Sequence, residues 1–320
     1  MSKRVIIAGG GTGGHIFPAI AIANALKRID RSIEILFVGA KGKMEMEKVP
    51  QAGYKIEGLD ITGFNRSSLI KNIGLPFKII KSLLQARRIM KNFQPDVVVG
   101  VGGYASFPML RLAQQKKIPT VIQEQNSFAG KTNMILGKRA AKICVAYDGM
   151  EKFFPNDRVV YTGNPVRSAI SQSSITRSEG IKFFSLDENR KTVFVVGGSL
   201  GAKSINEMID KHLDEMLNSG LQLIWQTGKS YLAKAKERIE SKQGVWVNDF
   251  IIQMEYAYAA ADMVISRAGA IAISELCVVK KPVLFVPYPF AAEDHQTVNA
   301  MSLVKRNAAL MVKDNEAMVK

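Results

Sequence analysis

The chain twice runs from a short apolar stretch into a glycine cluster and straight on into a helical pattern. Residues 4–8 (RVIIA) lead into Gly9-Gly10-Gly11-Thr12-Gly13-Gly14, and residues 192–196 (TVFVV) lead into Gly197-Gly198-Ser199-Leu200-Gly201-Ala202. A turn of this kind joins a β-strand to a helix N-terminus, where glycine lets backbone amides approach an anion. It constrains the fold because a strand that feeds a helix opens a parallel sheet, whose strands need crossover connections. Two such openings in 320 residues, a length suited to two domains of about 150 residues, predict two parallel-sheet domains.

The rest of the chain keeps the same alternation. In the first half strands are expected at 4–8, 33–38, 97–101, 120–123 and 142–146, with helices at 15–29, 77–92, 107–115 and 131–140. The segment YTGNPVR then combines glycine, asparagine and proline and marks a joint, followed by a polar patch, SQSSITRSEG. In the second half strands are expected at 192–196, 221–226, 245–247, 263–265 and 283–286. Helices should run to Leu217, near 254–260, over 270–277 and over 291–305. The expectation is an α/β protein of two Rossmann-like domains, residues 1–163 and 164–320, with parallel sheets facing a cleft. Ligands of such sheets bind at the carboxyl ends of the strands.

Composition excludes several classes. A chain that is 47% hydrophobic and 22% charged buries a large core and is neither disordered nor low-complexity. Cys144 and Cys277 form no paired motif, so a disulfide framework or cysteine-built zinc site is not expected, and the usage fits a reducing compartment. The first apolar run breaks into glycines, as a strand does and a signal peptide does not. No apolar stretch approaches the about 20 residues that span a bilayer.

The net charge of +16 is lopsided. Residues 1–160 carry 25 basic and 11 acidic side chains, whereas residues 161–320 carry 19 and 17. Between Asp60 and Asp96 there is no acid. Arg66, Lys71, Lys78, Lys81, Arg87, Arg88 and Lys91 are interleaved there with Ile70, Ile73, Leu75, Phe77, Ile80 and Leu84. Ile79, Leu83, Ala86, Met90 and Phe93 form a helical stripe that should be buried. A basic excess confined to one half points to an anionic partner there, and the reading adopted is an anionic membrane leaflet. The chain has no RNA-binding signature and no aromatic cluster beside the basic run, so a nucleic-acid partner is not expected.

Several residues are suited to chemistry. Gly9, Gly11 and Gly14 satisfy G-x-G-x-x-G, but a dinucleotide site also wants an acid at the end of the second strand. That strand ends Val38-Gly39-Ala40-Lys41, which sets NAD aside; a tight turn without a ligand is the plain alternative. His15 stands in the first turn of the following helix, where the helix end disfavours imidazolium. A neutral His15 could act as a general base, or merely bond the turn.

The second turn could hold a diphosphate with its amides and the Ser199 hydroxyl, with Arg167 reaching the same charge. Glu275, on the second turn of the helix after SRAGA, could accept two hydrogen bonds from a ribose diol, or be a surface glutamate. Gln296, in EDHQTVN, suits sugar hydroxyls; the alternative is a helix cap. No Asp-x-Asp pair occurs and the three histidines are scattered, so no protein-bound metal and no other cofactor is expected.

Taken in order, GGGTGGHIFP, GVGGYASFP, EQNSFAG, TGNPVR, GGSLGA, SRAGAIAISE and DHQTVNA resemble the MurG family of peptidoglycan synthesis, from Val5 to about Val312. The resemblance implies the two-domain GT-B fold and an inverting transfer of GlcNAc. The donor would be UDP-GlcNAc and the acceptor the C4 hydroxyl of the muramyl sugar of lipid I, giving lipid II. It further implies a peripheral protein on the cytoplasmic face of the bacterial cell membrane, no bound metal, and other cell-wall synthesis proteins as partners.

By matching motif, Thr12, Gly13 and Gly14 would lie beside the donor and Asn126 would contact the transferred sugar. Arg167 and Ser199 would face the phosphates, and Ile251 would hold uracil by its backbone. Ala270, Ile271, Ala272, Ile273 and Ser274 would bind the α-phosphate and ribose, with Glu275 on the ribose and Gln296 on the GlcNAc hydroxyls. His15 is the first candidate for the base and Glu124 the second.

The chain departs from the family in three places. Leu200 stands where many members have Gln, Gln123 replaces a frequent His, and the sequence ends about a helix or two early, without the final crossover helix. The alternative within the fold is another UDP-sugar transferase or an epimerase.

Overall fold

The computed structural model describes residues 2–63 and 74–317. Arg66, Ile70, Lys71 and Ile73 of the acid-free stretch lie outside the described residues. The chain divides into two compact units, Met1–Arg167 and Ser168–Lys320. The division falls just past the Gly-Asn-Pro joint, so Arg167 ends the first unit.

The first unit carries β1 (Arg4–Ala8), α1 (Gly13–Ile29), β2 (Glu34–Ala40), α2 (Glu45–Gln51), β3 (Lys55–Leu59) and α3 (Leu75–Phe93). It continues with β4 (Val97–Gly100), α4 (Ser106–Gln115), β5 (Thr120–Glu124), α5 (Lys131–Gly137), β6 (Lys142–Val145) and β7 (Val159–Tyr161). Its strands order as β3-β2-β1-β4-β5-β6-β7, all parallel, with Ile6 in register between Leu36 and Val98.

Strand β1 shows why the sheet must be covered on both faces. Val5 and Ile7 pack with Ile16, Ala19, Ile20 and Ala23 of α1. Ile6 and Ala8, pointing the other way at period two, join a core with Ala86 and Met90 of α3 and Met109 and Leu110 of α4. Each large aliphatic side chain so buried contributes ~1.5–3 kcal/mol. A central strand buried on both faces must be apolar throughout, as RVIIA nearly is.

The second unit runs α6 (Ser168–Ser171), α7 (Arg177–Phe183), β8 (Lys191–Val196), α8 (Lys203–Asn218), β9 (Leu221–Gln226), α9 (Leu232–Ile239) and β10 (Val245–Asn248). It closes with α10 (Met254–Ala260), β11 (Met263–Ser266), α11 (Ala270–Val279), β12 (Val283–Phe285), α12 (His295–Val304) and β13 (Leu310–Met311). The strand order is β10-β9-β8-β11-β12-β13, again all parallel. Val193 and Val195 of β8 pack with Ile205, Ile209 and Leu213 of α8, while the ring of Phe194 meets that of Tyr258 at 5.7 Å.

Both sheets therefore reverse their strand order once, between β1 and β4 and between β8 and β11. In a doubly wound sheet the loops leaving those strands splay apart and leave a crevice at their carboxyl ends. The sequence motifs fall on these loops: the two glycine turns follow β1 and β8, GGYAS follows β4, and SRAGA follows β11.

Candidate active site

In the first unit the glycine turn is built around an acid. Glu45, at the start of α2, is 1% exposed; its Oε2 accepts from Gly11 N at 2.9 Å and its Oε1 from Ala40 N at 2.9 Å. A Cβ on Gly10, which has φ +148°, would lie 2.2 Å from Glu45 Oε1, so only glycine fits there. The turn thus carries its own anion. An acid does stand beside β2, but it is engaged by the chain's own amides.

His15, in the first turn of α1, places Nδ1 3.0 Å from Gly10 O and 3.4 Å from Thr12 Oγ1. A carbonyl only accepts, so Nδ1 carries the proton and Nε2 holds the lone pair. The imidazole pKa is lowered, first by burial, against opposing pulls from Glu124, the Gly10 carbonyl and Glu45. The sequence predicted a neutral ring from the helix end; the direction is the same, but burial is the largest cause. Gly102, with φ +93°, lets the turn after β4 lie against the ring: a Cβ there would sit 2.9 Å from Nε2.

Glu124 ends β5 and is 2% exposed. Its Oε1 accepts from Asn126 N at 3.1 Å, and its Oε2 from Gly130 N at 3.0 Å and Asn133 Nδ2 at 2.9 Å. Three donors on a buried carboxylate shape the EQNSFAG loop and set the place of Asn126. Gln123, the residue that replaces a frequent His, is buried and donates from Nε2 to Asn164 Oδ1 at 2.9 Å. Gln125 donates to Val101 O at 2.8 Å, so these amides tie β5 to the β4 turn and to TGNPVR. Thr12 is exposed and, with Gly13 and Gly14, opens α1, whose N-terminus no side chain caps. The Arg167 guanidinium lies 4.9 Å from the Phe17 ring of α1.

The second unit presents a different turn. Helix α8 has neither a side-chain cap nor an acid in its first turn, and among the described residues no carboxylate bonds the amides of 197–202. Its helix end and the half-buried Ser199 are suited to an external anion. Leu200 is 79% exposed. Gln226, ending β9, donates to Gly198 O at 3.0 Å and accepts from Ile251 N at 3.1 Å. It fastens the turn to the DFIIQM loop and engages the Ile251 amide.

Arg267 joins four segments. It donates to Val286 O at 3.0 Å and Pro287 O at 3.1 Å, to Ser204 Oγ at 3.0 Å and to Asp314. Helix α11 likewise starts without a side-chain cap, at Gly269. Along it Ala270, Ile273 and Glu275 are buried, while Ile271, Ala272 and Ser274 are half-buried; Ser274 Oγ bonds back to Ala270 O at 2.9 Å.

Glu275 is 5% exposed and accepts from Tyr258 Oη at 3.0 Å, so the plain reading of a surface glutamate is wrong. Gln296, in the first turn of α12, accepts at Oε1 from Tyr288 N at 3.0 Å, which leaves Nε2 to donate.

Sequence reasoning missed Glu45, Asn133, Gln226, Tyr258 and the Arg267–Asp314 pair. Among the described residues no group of three or more His, Cys, Asp or Glu is placed to hold a metal ion.

The family models for the glycosyltransferase family 28 N-terminal domain and C-terminal domain match residues 5–145 and 192–320. A UDP-N-acetylglucosamine--N-acetylmuramyl-(pentapeptide) pyrophosphoryl-undecaprenol N-acetylglucosamine transferase of Phocaeicola vulgatus is 55% identical over 317 residues, 98% of this chain and 84% of that one. The protein of the same name from Cytophaga hutchinsonii is 52% identical, over 98% and 85%.

Among solved structures, Acinetobacter baumannii MurG superposes with TM-score 0.73 at 31% identity, covering 98% of this chain and 86% of that one. A glycotransferase of kitacinnamycin superposes with TM-score 0.72 at 14% identity, over 98% and 87%, a likeness of fold alone. With both halves matched and more than half of its residues shared over nearly its whole length, the chain has the GT-B fold and belongs to glycosyltransferase family 28, within it to the MurG family.

Proposed function

We propose that this chain transfers GlcNAc from UDP-GlcNAc to the N-acetylmuramyl sugar of a pyrophosphoryl-undecaprenol acceptor, lipid I, and so makes lipid II. The observation that carries the reading is the identity of 55% over 98% of the chain with a transferase of that name. The geometry supplies groups for each part of the chemistry.

The first unit supplies the base. Nε2 of His15 takes the proton of the acceptor's C4 hydroxyl as that oxygen attacks C1 of GlcNAc. The bond from C1 to the β-phosphate oxygen breaks on the opposite face, UDP departs, and the single displacement inverts C1. A positioned base contributes about 10²–10⁴-fold. Glu124, with three donors on its oxygens, is read as the scaffold of the Asn126 loop, leaving the base role to His15. Thr12, Gly13, Gly14 and Asn126 are assigned to the transferred sugar and its surroundings.

The second unit supplies the donor groups. The open end of α8 with Ser199 receives the diphosphate and stabilises the charge that grows as UDP leaves; Arg167, which ends the first unit, is assigned to the same charge by its motif. The start of α11, from Ala270 to Ser274, takes the α-phosphate and ribose, with Glu275 on the diol. The Ile251 carbonyl accepts from uracil N3–H, and Gln296 donates from Nε2 to a GlcNAc hydroxyl. These helix ends and Arg167 carry the electrostatic work, and the reaction is proposed to need no protein-bound metal.

Helix α3 is the proposed membrane contact. Phe77, Ile80 and Leu84 are 76%, 58% and 64% exposed, at the helical spacing of one face. The exposed Lys78, Lys81, Arg87, Arg88 and Lys91 accompany them. An amphipathic basic face of this kind rests on an anionic leaflet, here the cytoplasmic one. No helix among the described residues is long and apolar enough to cross a membrane.

The test is transfer of label from UDP-GlcNAc to a lipid I analogue. A disaccharide-lipid product is expected, with kcat falling at least about 10²-fold in His15→Ala. Epimerised UDP-sugar without transfer would instead favour the epimerase reading.

A further inference from the structure

We infer that Glu45 is a positioning residue for the transfer: it grips the peptide group between Gly10 and Gly11, whose other side holds the His15 ring. The inference rests on His15 being the base. The backbone has no cis peptide bond among the described residues, so the N–H of Gly11 and the C=O of Gly10 point in opposite directions from one rigid plane. Glu45 Oε2 accepts from that N–H at 2.9 Å, and His15 Nδ1 donates to that C=O at 3.0 Å. Carboxylate, peptide and imidazole thus form one line. A carboxylate commonly orients a catalytic histidine by direct contact; here one peptide group stands between them.

The packing makes Glu45 hard to replace. It is 1% exposed and, among the described residues, has no cationic partner, a costly burial unless hydrogen bonds compensate. Its two amide partners come from different strands' ends, Gly11 after β1 and Ala40 at the end of β2. Room for it is left by two glycines: a Cβ on Gly10 would lie 2.2 Å from Oε1, and one on Gly39 2.4 Å from Cγ. Without that carboxylate the Gly10–Gly11 peptide, whose carbonyl holds the ring's tautomer, loses the anchor on its N–H side. Polarisation along such a chain strengthens each hydrogen bond.

The negative charge acts on the ring as well. The groups facing His15 are Glu45 on α2 and Glu124 at the end of β5, and both raise its pKa against the larger effect of burial. The Tyr104 hydroxyl, on the turn after β4, has its pKa raised first by burial and then by the charge of Glu45.

The experiment is Glu45→Gln in the full chain. A side-chain amide accepts at one end only and turns a donor toward the other N–H. We expect kcat to fall about 10–100-fold, the scale of a misplaced catalytic group, while UDP affinity stays unchanged. The acid limb of the kcat–pH profile should move to lower pH, because a charge favouring imidazolium is gone, whereas loosened packing would relieve the burial that lowers the His15 pKa and move the limb to higher pH. In 15N NMR of labelled histidine the Nδ1–H form of His15 should lose population.

Wild-type kcat with an unmoved acid limb and an intact Nδ1–H signal overturns the inference. If Glu45→Gln does not fold, Glu45→Asp keeps the charge but is one methylene short of bridging both amides. A smaller loss of kcat with a weakened Nδ1–H signal is then expected, and wild-type values for both overturn the inference. Should His15→Ala leave kcat intact, the base assignment falls, yet the NMR signal still reads whether Glu45 holds the ring.

Discussion

Glu124 and His15 are both placed to be called the base, and one substitution separates them. Glu124→Gln preserves shape but converts one carboxylate oxygen into a donor. If the retained oxygen stays with Gly130 N and Asn133 Nδ2, the new NH2 faces Asn126 N, which formerly donated to Oε1 at 3.1 Å. If the amide flips, two partners are lost instead of one. A hydrogen bond to a charged group contributes ~1.5–3 kcal/mol, so the milder arrangement alone should cost about that much. For a domain of 150–250 residues each kcal/mol lowers Tm by about 2–4 °C. Glu124→Gln should therefore melt ~3–12 °C lower.

Activity should fall too, because the loop bearing Asn126 loosens, but its pH dependence should persist. The negative charge of Glu124 heads the effects that raise the His15 pKa. Its removal lowers that pKa further, so the acid limb of the kcat–pH profile shifts down without vanishing. Differential scanning calorimetry and a pH series of the labelled transfer read both. An unchanged Tm together with loss of the acid limb would make Glu124 the base and refute the scaffold reading.

The other predictions concern donor, metal and membrane. With Glu275 on the ribose diol as proposed, Glu275→Ala should weaken UDP by ~1.5–3 kcal/mol, about 10–150-fold in calorimetry; unchanged affinity takes Glu275 out of the site. Turnover should survive EDTA, and abolition reversed by stoichiometric Zn²⁺ or Mn²⁺ would contradict the helix-end mechanism. Lys81 is tied to Asp60 at 2.9 Å, so charge reversal on α3 is best made at Arg87, Arg88 and Lys91. At ~1 kcal/mol per cation the triple change should release the protein from phosphatidylglycerol liposomes about 10²-fold while UDP binding stays; equal sedimentation would assign the face elsewhere.

Burial decides which elements were legible. β1, β4 and β8 are covered on both faces and carry unbroken apolar runs (VIIA, VVVG and VFVV), so their places were evident. The strands that escaped notice are β3, β7 and β13, all at sheet edges. Val159–Tyr161 of β7 has no buried residue, and Leu310–Met311 of β13 pairs over two positions only. Among the helices, α2 contains Pro50 and spans seven residues, too few to show a period. Helix α7 was legible in principle: Thr176 and Glu179 form a capping box at its start, but their polar surroundings read as a loop.

The site was legible only as far as local sequence reaches. Motifs located the turns and helix starts, but not the partners brought by topology. Gln123 meets Asn164 41 residues away, and Ser204 meets Asp314 110 residues away; no periodicity links such pairs. The consequence is largest for the two glycine turns, which look equivalent as text. Both follow a first strand and open an uncapped helix, so each could claim the diphosphate. Glu45 breaks the tie. Its carboxylate already engages Gly11 N, and a second anion brought to that turn would meet a buried like charge, an arrangement that a low-dielectric site penalises by several kcal/mol. At the turn after β8 no carboxylate among the described residues engages the amides; Asp314 reaches only the Ser204 hydroxyl of α8 and is paired with Arg267. On the proposed assignment, one buried carboxylate therefore favours the second unit for the anionic donor and leaves the first for a neutral base.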